Sequence, residues 1–136
     1  IIQLIYGSFT AGLHAGDLSP KNPENIIHRL FGYFTTETSD NLNFLDNPYN
    51  IQFLHRVIAW GIALFSFYIW RTTRTTKLQK SGNVFLFIVM TQLILGVATI
   101  LMGVPKHLAI THQFIASVLL LTTIYLIYQS QTNKKK

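Results

Sequence analysis

Two histidines, His55 and His112, are the residues whose type and spacing could carry chemistry in this chain of 136 residues. Each stands fifth in an apolar run, His55 counted from Ile51 and His112 counted from Leu108. If both runs are helices entering a membrane from the same face, four steps of helical rise put each imidazole about 6 Å below that face. Two imidazoles at one depth on parallel helices can face each other across a flat macrocycle. Haem iron takes axial imidazole readily, and helical bundles build cofactor sites from facing helices in this way. Ionisable groups inside spans are costly and tend to mark function. A histidine near a span end is also a common packing or interfacial residue, so the pair by itself leaves ligation and packing both open.

The neighbours bear on that choice. Arg56 follows His55 directly and needs an anionic partner in lipid, which a haem propionate or a headgroup reached by snorkelling would supply. Gln52 and Gln113 stand three residues before and one residue after a histidine and are candidates for hydrogen bonds that orient the imidazoles. Lys106 and His107 lie at the mouth of the second histidine helix, where ordinary interfacial anchoring accounts for them. His14 stands at the end of the first apolar run, and His28 lies beside Arg29 in a polar stretch; neither needs a ligand role. Zinc hydrolysis fits poorly: there is no His-Glu-x-x-His motif, and no carboxylate lies inside a full span to act as a base. No Ser/His/Asp arrangement and no glycine-rich phosphate loop is legible. The absence of cysteine excludes disulfides, thiolate ligation of iron–sulfur clusters and covalent c-type haem attachment.

The elements that must position the histidines are membrane spans. Half of the residues are apolar and only 12% are charged, against about 25% in an ordinary soluble domain. Three runs are long enough to span, Ile51 to Trp70, Val84 to Val104 and Leu108 to Tyr128, and only Arg56 carries a charge within them. About 20 helical residues cover the hydrocarbon layer. Residues 1–15 read as the end of a fourth, truncated helix, since the chain opens inside an apolar run without methionine or a charged leader. The expected fold is therefore all-α, an integral membrane four-helix bundle. Gln92, Gly96 and Ala98 give the third span a small, partly polar face suited to close helix contact. No internal repeat is evident.

Charge sets the orientation. The net charge of +6 resides largely in Arg71, Arg74, Lys77 and Lys80 and in the tail Lys134, Lys135 and Lys136. Both segments should lie on the cytoplasmic or matrix side. No basic stripe runs along a helix, so nucleic acid is not an expected partner. The lipid bilayer is. The opposite side then holds the turn from Gly103 to His107 and a loop over residues 17–50 containing all five acidic residues. Within that loop Ile26, Ile27, Leu30, Phe31 and Phe34 recur at helical spacing, as in a short interfacial helix.

These segments resemble a known family. Asn43-Phe44-Leu45-Asp46-Asn47 followed by Ile51-Gln52-Phe53-Leu54-His55-Arg56-Val57-Ile58-Ala59-Trp60 is similar to the entry into the sixth helix of haem A synthase. Gln92-Leu93-Ile94-Leu95-Gly96-Val97-Ala98-Thr99-Ile100-Leu101 resembles its seventh helix. Val104-Pro105, Leu108-Ala109 and His112-Gln113 with Ala116 resemble the start of its eighth. Tyr6-Gly7, Ala11-Gly12-Leu13 and Ala15-Gly16 look like the end of its fifth. The loop from Asp17 to Leu42 does not follow the family pattern: Asp17-Leu18-Ser19-Pro20 replaces an Asn-Thr-Trp-Pro-like stretch.

The resemblance implies the second half of an eight-helix protein built from two similar four-helix bundles, in a bacterial or mitochondrial inner membrane. Such a protein oxidises the methyl group of haem O to the formyl group of haem A for cytochrome oxidase assembly. It maps His55 and His112 onto the histidine pair of the second bundle, axial ligands to the iron of a b-type haem, with Arg56 as propionate partner. The first bundle, where substrate haem and catalysis are placed, has no counterpart in these residues, so this half alone is not expected to be active. Expected partners are that N-terminal bundle and an electron donor the sequence does not identify; a homo-oligomer is left open. Two rivals remain, a bis-histidine b-type electron carrier and a non-catalytic scaffold.

Overall fold

The structure, a computed structural model, describes Gln3, Ile5, Gly7 and residues 47–134. The described residues are helical apart from the caps and two short turns. Helix α1 runs over Pro48–Thr73, α2 over Gln79–Leu101 and α3 over Lys106–Lys134. All three are long and apolar enough to cross a membrane. Gln3, Ile5 and Gly7 are helical as well, and Gln3 and Gly7 lie against α1. The rest of the expected first helix, the loop up to residue 46 with its interfacial helix, His14 and His28 lie outside the described residues.

Local chemistry explains where each helix begins and ends. The expected start of α1 at Ile51 moves back to Pro48, because Asn47 and Pro48 form a helix-initiating pair. The Asn47 side chain accepts a hydrogen bond from the Tyr49 amide at 2.9 Å, and Pro48 fills a first-turn position where no amide donor is needed. At the other end Arg71 stands in the last turn, where a cation favours the helix dipole. The Arg74 guanidinium lies 4.8 Å over the Trp70 ring.

Helix α2 starts at Gln79 rather than Val84 and ends at Leu101 rather than Val104. The early start follows from the turn before it, where Thr76 binds the Thr73 carbonyl and the Leu78 amide and so folds the chain straight into the next helix. The early end is a Schellman closure. The Val104 amide donates to the Thr99 carbonyl at 2.8 Å and the Gly103 amide to the Ile100 carbonyl at 3.2 Å. Gly103 takes φ +73° there, and Val104 also has a positive φ, 57°. Pro105 then opens α3, its carbonyl accepting from the Ala109 amide.

The chain thus folds as consecutive antiparallel helices, with α2 packed along both α1 and α3. Helices α1 and α3 run the same way, so both carry their histidine near the same end. Call it the histidine end; the turn with Arg74 and Lys77 marks the opposite, basic end. The buried apolar core sits toward the basic end, where Phe85 and Val89 of α2 and Leu126 of α3 are enclosed by Ile62, Ala63, Ile69 and Leu119. Elsewhere large apolar side chains point outward, Phe87 being 72% and Ile110 70% exposed. Such a surface is stable in lipid and not in water.

Candidate functional site

At the histidine end the packing changes character. His55 on α1 is half-buried, and Gly7 stands against its ring: a methyl group added to Gly7 would lie 3.3 Å from Cε1 and 3.8 Å from Nδ1. Gln3, one turn before Gly7, donates its side-chain amide to the His55 backbone carbonyl at 3.0 Å. His112 on α3 is held in the same manner by α2. A methyl group on Gly96 would lie 3.1 Å from Cε1, 3.7 Å from Nδ1 and 3.8 Å from Nε2 of that ring. Gln92, one turn before Gly96, meets His112 Nε2 at 3.2 Å through its side-chain amide. Each imidazole therefore turns its Cε1 toward a glycine that lies four residues after a glutamine.

The arrangement exposes a short repeat where the sequence shows none at first reading. Gln3-Leu4-Ile5-Tyr6-Gly7 and Gln92-Leu93-Ile94-Leu95-Gly96 agree at all but one position. Their partners, His55-Arg56-Val57-Ile58-Ala59 and His112-Gln113-Phe114-Ile115-Ala116, share the histidine, isoleucine and alanine. The intervening lengths are unequal, so only the contact pattern aligns the segments.

Polar groups at this end are buried and incompletely satisfied. Among the described residues, Nδ1 of His55, Nδ1 of His112 and the Oε1 atoms of Gln3 and Gln92 have no hydrogen-bond partner. A buried polar atom left unpaired costs about 1–3 kcal/mol, so several at one place set this end apart from the rest of the bundle. The two imidazoles are near enough to interact electrostatically, and Arg56 acts on His55 in the same way. Arg56 is only 5% exposed and Gln52 only 3%, and both engage neighbours within the protein. Two imidazoles at one end of the bundle, beside a buried arginine, are a donor set that fits a haem: ring nitrogen for iron and a guanidinium for a carboxylate. No group of three or more histidine, aspartate or glutamate side chains that could hold a bare metal ion is found among the described residues.

Comparison with known proteins gives the family. A family model described as Cytochrome oxidase assembly protein (COX15-CtaA) matches residues 1–124. The chain belongs to this family. A protein named Heme A synthase from Flavobacterium psychrophilum is 36% identical, over 95% of this chain and 40% of its own length. Those of the same name from Brucella anthropi and Flavobacterium johnsoniae are 32% and 33% identical, over 88% and 95% of the chain. The chain spans 35% to 40% of the length of these relatives. No solved structure matches it significantly. As a member of the haem A synthase family with three helices able to cross a bilayer, it is an integral membrane protein.

The structure sorts the residues singled out in the sequence. His55, Arg56 and Gln52 all belong to the first turns of α1, with Arg56 and Gln52 buried beside the half-buried His55. Gln113 follows His112 by one residue, which rotates it about a quarter turn around α3; its side chain is exposed. Gln92 of α2, not Gln113, is the glutamine on the His112 ring. Lys106 and His107 are exposed in the first turn of α3. Gln3, Gly7, Gln92 and Gly96 escape a search for titratable residues because none of them ionises. The available signal was the Gln-x-x-x-Gly spacing itself, which puts an amide and a gap on one helix face.

Proposed function

We propose that this chain is the haem-carrying membrane bundle of a haem A synthase, the second half of an eight-helix protein, with His55 and His112 as axial ligands to a b-type haem. Arg56 pairs with a propionate, and Gln52 supports the His55 end of the site. A haem held by two imidazoles supplies a one-electron relay without an open coordination position. The chain's own residues would hold the ligand rings in place and exclude water from them. In the whole protein this bundle supports oxidation of the haem O methyl group to the formyl group of haem A, with reacting haem and electron donor engaged elsewhere. The basic turn and the lysine tail favour the cytoplasmic or matrix side of a bacterial or mitochondrial inner membrane.

One observation carries this reading: two histidines on parallel helices, each seated against a glycine and each with an orphaned buried ring nitrogen. A carrier passing electrons across the membrane needs a second site at the basic end. Among the described residues that end is filled by Phe85, Val89 and Leu126 and holds no histidine. The test is an optical spectrum of the full-length protein in detergent. A low-spin b-type spectrum is expected, lost in His55→Ala and in His112→Ala, with haem O or haem A extractable beside haem B. A well-folded protein that takes up no haem refutes the reading.

A further inference from the structure

The two Gln-x-x-x-Gly segments stand outside any ligand role, yet their glycines touch the imidazoles and their glutamines reach the same two histidines. We propose that they are a matched pair of positioning units, in which Gly7 and Gly96 set the plane of each imidazole while Gln3 anchors the main chain of His55 and Gln92 the ring of His112. This rests on the haem reading above and adds to it the residues that orient the ligands.

Three observations support the assignment. The first is the near-identity of the contacts. Both rings present Cε1 to the glycine most closely: a Cβ built on Gly7 lies 3.3 Å from Cε1 and 3.8 Å from Nδ1 of His55, and one built on Gly96 lies 3.1 Å from Cε1, 3.7 Å from Nδ1 and 3.8 Å from Nε2 of His112. Carbon atoms in ordinary van der Waals contact stand about 3.5–4.0 Å apart, so an alanine at either position forces the ring to turn or retreat. The second is contrast within the same chain. A Cβ on Gly61 meets nothing within 4 Å and one on Gly82 meets Thr73, so among the described glycines only Gly7 and Gly96 lie against an imidazole. The third is that the glutamines differ in grip. Gln3 bonds the His55 main chain, which fixes the helix and leaves the ring free to settle against Gly7. Gln92 bonds the His112 ring itself, so this imidazole is restrained from two sides. The two ligands are thus inequivalent, and His112 is the one whose orientation depends on a neighbouring side chain.

Ring orientation is readable without activity. The relative angle of two axial imidazole planes governs the g-anisotropy of low-spin ferric haem, and hydrogen bonds to a ligand change its electron donation and the potential. The experiment compares electron paramagnetic resonance spectra and reduction potentials of the haem-loaded, full-length protein with those of Gly7→Ala, Gly96→Ala, Gln92→Leu and Gly61→Ala. Gly96→Ala and Gln92→Leu should keep a bound haem but shift both the g-values and the potential. Gly7→Ala should shift the g-values, and Gly61→Ala should match the parent in both. Parent-like g-values and potential in Gly96→Ala and Gln92→Leu overturn the proposal and leave the ligand assignment standing. If Gly96→Ala does not fold, Gln92→Leu alone decides, since it keeps side-chain volume and removes only the amide. A parent protein with no low-spin haem overturns the ligand assignment, and the positioning role with it.

Discussion

The same three helices do different work at their two ends. Toward the basic end, side chains from α1, α2 and α3 interlock around Phe85, Val89 and Leu126. Hydroxyls there find partners in the protein: Ser66 donates to the Ala63 carbonyl at 2.7 Å, Thr73 donates to the Ile69 and Trp70 carbonyls, and Ser81 of α2 donates across to the Gln129 side chain of α3. At the histidine end two glycines lie against the histidine rings, and polar atoms of His55, His112, Gln3 and Gln92 are buried without partners among the described residues. One end is satisfied by protein alone. The other holds buried polar atoms that the described residues do not pair. A bundle in lipid gains little from burying apolar groups against one another, because lipid is as apolar as leucine. Close packing at the basic end must therefore hold the helices in register, and the histidine end can carry unsatisfied groups because the register is fixed elsewhere.

Substitutions should separate these roles. The largest effect is expected at the ligands: His55→Ala and His112→Ala should each abolish the low-spin haem spectrum while the helices still insert, as judged by circular dichroism. Phe85→Ala should do the reverse. Removing a buried phenyl ring costs about 3–5 kcal/mol, so thermal stability in detergent should fall clearly, whereas haem that remains bound should keep its spectrum. A Phe85→Ala protein with an altered haem spectrum would show that the two ends are coupled more tightly than their separate packing suggests.

The division was partly legible in the amino-acid sequence. Hydropathy marks the three spans because lipid demands long apolar runs, and the helix ends depart from the ends of those runs by two to six residues because hydropathy does not decide where a helix stops. Asn47 and Pro48 extend α1 backward, and the Schellman closure at Gly103 cuts α2 short. The histidine pair was legible because ionisable groups stand out in apolar runs. Gln92 and Gly96 were visible only as a small, polar face; what they face depends on how α2 packs on α3, which spacing within one helix does not encode. The exposed side chain of Gln113 illustrates the converse, since adjacency in sequence places a neighbour on a different face of the helix.

A smaller effect is expected at the basic turn. A Cβ on Gly82 would fall 2.1 Å from Oγ1 and 3.0 Å from Cβ of Thr73, and Thr73 is tied to two carbonyls. Gly82→Ala must push α2 away from α1 or break those bonds, at a cost of about 1–3 kcal/mol. Adding Thr73→Ala should recover much of the loss in a thermal melt, because it removes the nearest atom. An unchanged melting temperature in Gly82→Ala would mean that this end tolerates displacement and does not set the register.

The smallest effect belongs to the turn at the histidine end, and its sign is opposite. Val104 is β-branched and sits at φ 57°, in a left-handed region that costs an ordinary residue about 1–2 kcal/mol. Pro105 behind it narrows its backbone freedom further. The conformation is held by the Val104 amide on the Thr99 carbonyl, a bond that any residue other than proline can make. Val104→Gly should therefore relieve strain without losing the closure. Glycine's greater loss of chain entropy, about 0.5–1 kcal/mol, offsets part of the gain, so a net stabilisation of about 0.5 kcal/mol is expected. Gly103→Ala removes the residue suited to φ +73° and should destabilise by about 1 kcal/mol. This turn joins the helix bearing Gln92 and Gly96 to the helix bearing His112, so both variants should also be read by the haem spectrum. A spectrum unchanged in Val104→Gly means that ring position is set by the helix contacts themselves. A shifted one means that the strained turn helps to aim His112.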